Sequence, residues 1–364
     1  MRRSKLILFR CLTVLVSIGI VLVLAEIVIR ANEAPHNVAD VSLDERLARS
    51  EAKRLAAGAA PLSLAGLVER SDQADIVYRL KPNQSGTFLG VPLRTNARGM
   101  RDAAYPLKKP AGTFRIVGIG DSVMFGWGVD AEASYLAVLE QRLNASLASS
   151  PRFEVLNFAV PGYNTTMEVA TFEHVALAFD PDLVVIQFVN NDFSVPHFML
   201  RPEAHRGWSR SALMRLVASR LGSLKRDPMV HQQMEGLDEG EKSHVLDQYR
   251  HMLGEAGYRQ AMGRLAARAR AQGCPVIVLL GSSSAAQRRL IDALVKEHEF
   301  HLVEVGPYTN AYIDRHGIPN TPAERRKAIW LSRTDRHPNA AAHTIYTDAL
   351  MDALRDVGVV PAGE

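Results

Sequence analysis

The chain has 364 residues, 47% apolar and 23% charged, with 25 glycines and 18 prolines, a composition that excludes disordered, collagen-like and purely coiled-coil proteins. Two cysteines and no CxxC exclude a disulfide scaffold and supply no zinc spacing. The formal charge is +4, but five basic residues (Arg2, Arg3, Lys5, Arg10, Arg30) and one acid (Glu26) fall within residues 1–30, leaving 38 of each sign in a neutral remainder with no basic footprint for nucleic acid.

The first element is apolar from Cys11 to Ile29, interrupted only by Glu26. That length suits a bilayer-spanning helix, which needs about 20 residues. Basic residues before it predict a cytoplasmic N-terminus and an extracytoplasmic body. Val23-Leu24-Ala25 is a poor cleavage site, so residues 1–30 read as an uncleaved signal-anchor rather than a signal peptide. The expected location is the inner (cytoplasmic) membrane, single-pass, with the body periplasmic. Residues 31–75, rich in Ala, Glu and Arg, read as a stalk, and 76–112 as turn-rich segments packed on a main domain spanning 76–360.

From Phe114 the rhythm changes. FRIVGIG, FEVLNFAV, LVVIQFV, PVIVLLG and HLVEV are five short apolar runs, each a predicted strand. Between them lie helical patterns: Leu136, Leu139, Leu143 and Leu147 on one face, then Thr165–Phe179, residues 243–272, and a helix carrying Leu290, Ile291, Leu294 and Val295. A final helix is expected from Pro338. This alternation predicts a three-layer α/β/α domain on a five-stranded parallel sheet, besides the transmembrane helix. Such sheets bind ligands beyond the carboxyl ends of their strands. Residues 193–242 interrupt the rhythm. They read as an insertion, with a short helix in SALMRLVASRL, and serve either as a substrate flap or as a surface elaboration.

The chemistry is therefore sought at strand ends. Gly118-Ile119-Gly120 lacks the third glycine of a dinucleotide loop, since Val123 stands there, and no phosphate-binding G-x-x-x-x-G-K-[ST] occurs. Met124 excludes the G-x-S-x-G nucleophile elbow. What remains is Ser122, between a strand and a helix, either a helix cap or a nucleophile. Gly162 follows the second run and can bring a backbone N–H close to a substrate oxygen; otherwise it is a turn glycine. Asn191 follows the third run and offers a side-chain amide, or simply makes a turn. Near the C-terminus, His337 can deprotonate Ser122 while Asp335 holds its tautomer. His343 reads as structural, Asp121 and Asp192 as backbone-bonding. His197, His205 and His231 have no metal-ligand spacing, so no metal or cofactor is expected.

These blocks together resemble the SGNH, or GDSL-type, hydrolases. Gly120-Asp121-Ser122 matches the GDS block and Gly162 the glycine block. Val189-Asn190-Asn191-Asp192 matches the G-x-N-D block without its leading glycine. Asp335-Arg336-His337 matches Asp-x-x-His with one residue fewer, followed by Pro338-Asn339. The resemblance covers roughly residues 76–357 and implies a flavodoxin-like sheet and a serine esterase mechanism. Ser122, His337 and Asp335 would form the triad. The oxyanion hole would combine the Ser122 and Gly162 N–H groups with the Asn191 amide. If the shortened spacing turned Asp335 away, a backbone carbonyl would hold His337 instead. The implied substrate is an ester, either an O-acetyl group of an envelope glycan or a lipid ester. Alternatives are an O-acyltransferase using the same site and a scaffold with a decayed site. The Asp-His pair lying downstream of the serine favours hydrolase order over that of envelope acetyltransferases.

Overall fold

The computed structural model describes residues 2–32, 43–56, 62–146, 151–194, 211, 213, 214, 217 and 247–361. They fall into two units, one built on the N-terminal helix and one on the central sheet. In the first, helix α1 spans Arg2–Asn32. Its stretch Leu12–Ile29 has a mean hydropathy of 2.8 and is long and apolar enough to cross a membrane. Thr13 and Ser17 donate their hydroxyls to the carbonyls one turn back, those of Phe9 and Thr13. Glu26 accepts from the Ser211 hydroxyl at 2.8 Å and the Leu213 amide at 2.9 Å. The rest of the 193–242 insertion, apart from Phe193, Ser194, Met214 and Val217, lies outside the described residues, as do its three histidines and the proposed flap.

The second unit opens with helices α2 (Leu43–Ala56) and α3 (Leu64–Leu67). Four short strands follow. β1 (Val68–Arg70) pairs antiparallel with β2 (Tyr78–Leu80), and β3 (Ser85–Phe88) with β4 (Val91–Arg94). Leu89 and Gly90 join β3 to β4 with φ of 52° and 86°, the two positive values that a two-residue hairpin turn needs. The turn-rich stretch 76–112 thus carries three strands. Leu64, Leu67 and Val68 are buried, so the packed body begins within 31–75, upstream of residue 76.

Five parallel strands form the sheet: β5 (Thr113–Ile119), β6 (Arg152–Asn157), β7 (Leu183–Phe188), β8 (Val276–Leu280) and β9 (His301–Glu304). Their spatial order is β6-β5-β7-β8-β9, the flavodoxin-like 2-1-3-4-5 arrangement. Each of the five apolar runs is a strand. β7 and β8 are buried at every position, as continuous apolar runs covered on both faces must be. The intervening helices are α4 (Ser122–Phe125), α5 (Tyr135–Ser146), α6 (Thr165–His174), α7 (Gly254–Gln272), α8 (Ala285–His298), α9 (Val305–Arg315), α10 (Pro322–Ile329) and α11 (Ala340–Asp356). Val117, Ile119, Val184 and Ile186 pack with Phe172, Met262, Leu265 and Leu290 of α6, α7 and α8 in one core layer. α5, α9 and α11 pack together as the other layer. Burying each large apolar side chain contributes about 1.5–3 kcal/mol.

Helix ends differ from the sequence reading for local reasons. The last helix starts at Ala340, not Pro338, because Asn339 caps it by accepting from the Ala342 amide at 3.0 Å. The pattern over 243–272 resolves into a 3-10 turn (Asp247–Met252) and α7, separated by extended Leu253, with Gly254 at φ 66° opening α7. Thr165–Phe179 is likewise split between α6 and a 3-10 turn at Ala176–Phe179.

Candidate active site

The strand order reverses between β5 and β7, and in open α/β sheets ligands bind beyond the carboxyl ends of the strands at such a reversal. Ser122 is the first residue of α4, directly past β5, and Asn191 lies in the turn after β7. The chain can reach this corner closely because Gly118 lacks a Cβ. One placed there would lie 2.4 Å from Leu136 Cδ1. The glycines of GIG leave room for the Leu136 and Met124 side chains.

Asp121 caps α4 through Oδ1, which accepts from the Val123 amide at 2.9 Å. Its Oδ2 lies 3.2 Å from Ser122 Oγ and accepts from Asn191 Nδ2 at 3.1 Å. One carboxylate oxygen thus sits between the serine hydroxyl and the asparagine amide. Asp192 folds the Asn191 turn by accepting from the Val189 amide at 2.8 Å. Glu168 and Asp192 are 1% and 2% exposed. Burial pushes both carboxyls well above their ordinary range, and neighbouring carboxylates push them further, Asp192 and Asp121 acting on Glu168.

The histidine arrives from far along the chain. Two helices, α9 and α10, intervene between β9 and the loop 330–339. That loop is closed by the Trp330–Pro338 bridge, by Leu331 N–H to the His337 carbonyl (2.9 Å) and by the Asn339 amide donating to the Ala328 and Trp330 carbonyls. His337 Nε2 lies 2.9 Å from Ser122 Oγ, and Nδ1 lies 2.6 Å from Asp335 Oδ1. An ionised carboxylate only accepts, so the ring proton belongs on Nδ1 and the bare Nε2 faces the serine. The shortened Asp-x-His spacing still closes: the same Oδ1 also accepts the His337 backbone amide at 3.0 Å. Burial pushes the Asp335 carboxyl up, but the hydrogen bonds from His337 and Trp127 together hold it below its ordinary value.

Gly162 reaches the same sheet edge, in a Pro161–Gly162 turn with φ 81°. The preceding Val160 amide donates to the Gly120 carbonyl at 3.1 Å, and the Pro161 carbonyl accepts the Tyr78 hydroxyl at 3.1 Å. Gly162 has no hydrogen bond to Ser122, Asn191 or His337 among the described residues. His343 stays apart from the serine. It is fully buried, accepts the Tyr135 amide on Nδ1 at 3.2 Å and stacks on Tyr135. Burial first, then Arg101 and His337, pushes it down to about 3.

Two residues escaped the sequence reading. Trp127 stacks on His337, with ring centroids 5.0 Å apart and planes at 24°, and donates Nε1–H to Asp335 Oδ2 at 3.3 Å. Arg101 is buried and donates to the carbonyls of Phe125, Gly126 and Val129 at 3.0, 2.6 and 2.6 Å, clamping the loop that carries Trp127.

The sheet order, and a strand-end serine facing a paired histidine, are those of a serine hydrolase acting on esters. The chain belongs to the GDSL-like lipase/acylhydrolase family, whose family model matches residues 119–345. Solved structures similar to it include TesA, at 15% identity and a TM-score of 0.40 over 67% of this chain and 99% of that one. LAE5, an alpha/beta hydrolase from the metagenome of Lake Arreo, is 19% identical with a TM-score of 0.41, over 66% of this chain and 94% of that one. A catalytic mutant of Axe2, an acetylxylan esterase from Geobacillus stearothermophilus, is 18% identical with a TM-score of 0.40, over 67% and 94%. No curated protein matches the chain.

Proposed function

We propose that the protein is a membrane-anchored serine esterase with Ser122 as nucleophile, His337 as general base and acid, and Asp335 as the residue that orients it. The observation that carries this reading is the unbroken Ser122–His337–Asp335 relay at 2.9 and 2.6 Å. Ser122 Oγ attacks the ester carbonyl carbon while its proton passes to His337 Nε2. The carbonyl oxygen gains the negative charge and is received by the N–H groups of Ser122 and Gly162 and by the Asn191 amide. Collapse breaks the bond to the leaving alcohol, which takes the proton back from Nε2 and departs. Water then attacks the acyl-enzyme by the same route, releasing the acid and regenerating Ser122.

Residues 1–30 act in this reading as a single-pass signal-anchor, with the hydrolase domain periplasmic. The apolar stretch Leu12–Ile29 and the basic residues before it support this. An enzyme held at that surface suits an envelope substrate, an O-acetylated glycan or a lipid ester. Capture of the acyl-enzyme by a sugar hydroxyl instead of water would make it an acyltransferase.

The test is intact-mass labelling of the detergent-solubilised full chain with a fluorophosphonate, beside Ser122→Ala. One adduct on the wild type and none on the variant is expected, together with hydrolysis of p-nitrophenyl acetate that falls by about 10⁴–10⁶ in Ser122→Ala. No adduct on folded wild type overturns the reading. Diversion of the acetyl group from water by an added sugar acceptor would move it to the transferase.

A further inference from the structure

We propose that Trp127 is the positioning residue of the triad, tying nucleophile, base and acid to one side chain and its own backbone. The inference rests on the triad reading above. Trp127 touches all three residues: its amide donates to the Ser122 carbonyl at 3.1 Å, its ring stacks on His337, and its Nε1–H reaches Asp335 Oδ2.

The need for it follows from the short Asp335–His337 spacing. With one residue between them, a single oxygen, Oδ1, takes both the ring and the backbone N–H of His337. This local ring leaves Oδ2 pointing away from the histidine. Trp127 is the donor to that oxygen. It therefore fixes the carboxylate plane, which the loop's own bonds leave free to swing about Oδ1. The indole also covers one imidazole face, so the ring cannot tilt away from Ser122. When His337 takes the serine proton, the indole face lies against a cation that it stabilises.

Trp127 is itself held in place. It is 4% exposed, and Phe88 at the end of β3 packs edge-to-face against it, with centroids 5.0 Å apart and planes at 89°. Arg101 bonds the carbonyls on both sides of it in sequence. The β3–β4 hairpin, outside the sheet and outside every motif, thus backs the base of the triad through one indole.

The experiment compares wild type, Trp127→Phe, Trp127→Leu and Ser122→Ala as full-length protein in detergent, each checked for folding by its thermal transition. Trp127→Phe keeps a stacked ring and loses the N–H. It is expected to lower kcat for p-nitrophenyl acetate about 10-fold with KM nearly unchanged. The acid limb of its kcat/KM profile should move to higher pH. The lost N–H had stabilised the Asp335 carboxylate, and without it the Asp335–His337 pair protonates more readily. Trp127→Leu loses ring and donor and should fall about 100-fold, the scale of a misplaced catalytic group. A second readout needs no turnover: the His337 Cε1–H resonance in [13C]histidine-labelled protein, assigned by its loss in His337→Gln, should titrate at higher pH in Trp127→Phe. Folded Trp127 variants with wild-type kcat, an unmoved acid limb and an unmoved His337 titration would overturn the proposal. Wild type without esterase activity, but with the His337 titration moved by Trp127→Phe, would sink the esterase reading and leave the positioning role standing.

Discussion

The two halves of the candidate site are held by different means. Ser122 is fixed by the sheet: β5 aims the chain, Asp121 caps α4, and Asn191 meets Asp121 from the turn after the neighbouring strand. His337 sits in a loop of no regular structure, after two helices that follow the last strand. Its orientation depends on Asp335 two residues away, on the Asn339 clasp, and on Trp127, which stacks on it and bonds Asp335 from 208 residues before that aspartate. The serine corner is thus built by the sheet, and the histidine loop by its own bonds and one contact with a distant segment. The first should tolerate changes in the outer layer; the second should not.

Four substitutions probe this contrast, the largest effect first. Asp335→Asn should lower kcat about 10⁴-fold with little change in thermal stability, because the imidazole loses the carboxylate that selects its tautomer. A loss below tenfold would mean that the loop holds His337 unaided, and the contrast would collapse. On the nucleophile side, Asn191→Ala should cost about 10²–10³ in kcat for p-nitrophenyl acetate, the usual effect of one oxyanion donor. A change confined to KM would remove Asn191 from that role. Arg101→Met removes the guanidinium from three buried carbonyls and should lower stability by about 3 kcal/mol in urea denaturation. Unchanged stability would show that the loop holding Trp127 needs no clamp.

The effect smallest per pH unit separates two histidines six residues apart. His343 is held down to about 3, against about 6.5 in the unfolded chain. Between those values the unfolded chain binds one proton more. Stability therefore falls as pH drops, by at most about 1.4 kcal/mol per unit from this group. Denaturation of His343→Phe should show a shallower loss on acidification, once a constant offset for the lost Tyr135 bond is subtracted. Parallel curves from pH 6.5 to 4 would refute a buried neutral imidazole.

Much of this was legible in the chain. The five strands could be read because strands covered on both faces carry continuous apolar residues, as in LVVIQF and VIVLL. Ser122, Asn191 and Gly162 could be placed because strand ends and turns are local features. Asp335 stayed open, since a spacing one residue short does not say where a carboxylate points. Trp127 and Phe88 left no signal, because an aromatic residue beside a glycine turn or at the end of a short strand looks like core. The helix starts at Ala340 and Gly254 differ from the apolar periodicity because a capping side chain and a glycine backbone outweigh it there. The sequence by itself determined the layered sheet, the apolar N-terminal helix and the sheet edge that carries the candidate site, since these follow from periodicity and chain direction. Only the tertiary structure decided that Asp335 faces His337, that Nε2 faces Ser122 and that an indole binds them together. Those contacts join residues up to 215 apart, and such pairings are set by packing rather than by neighbours along the chain.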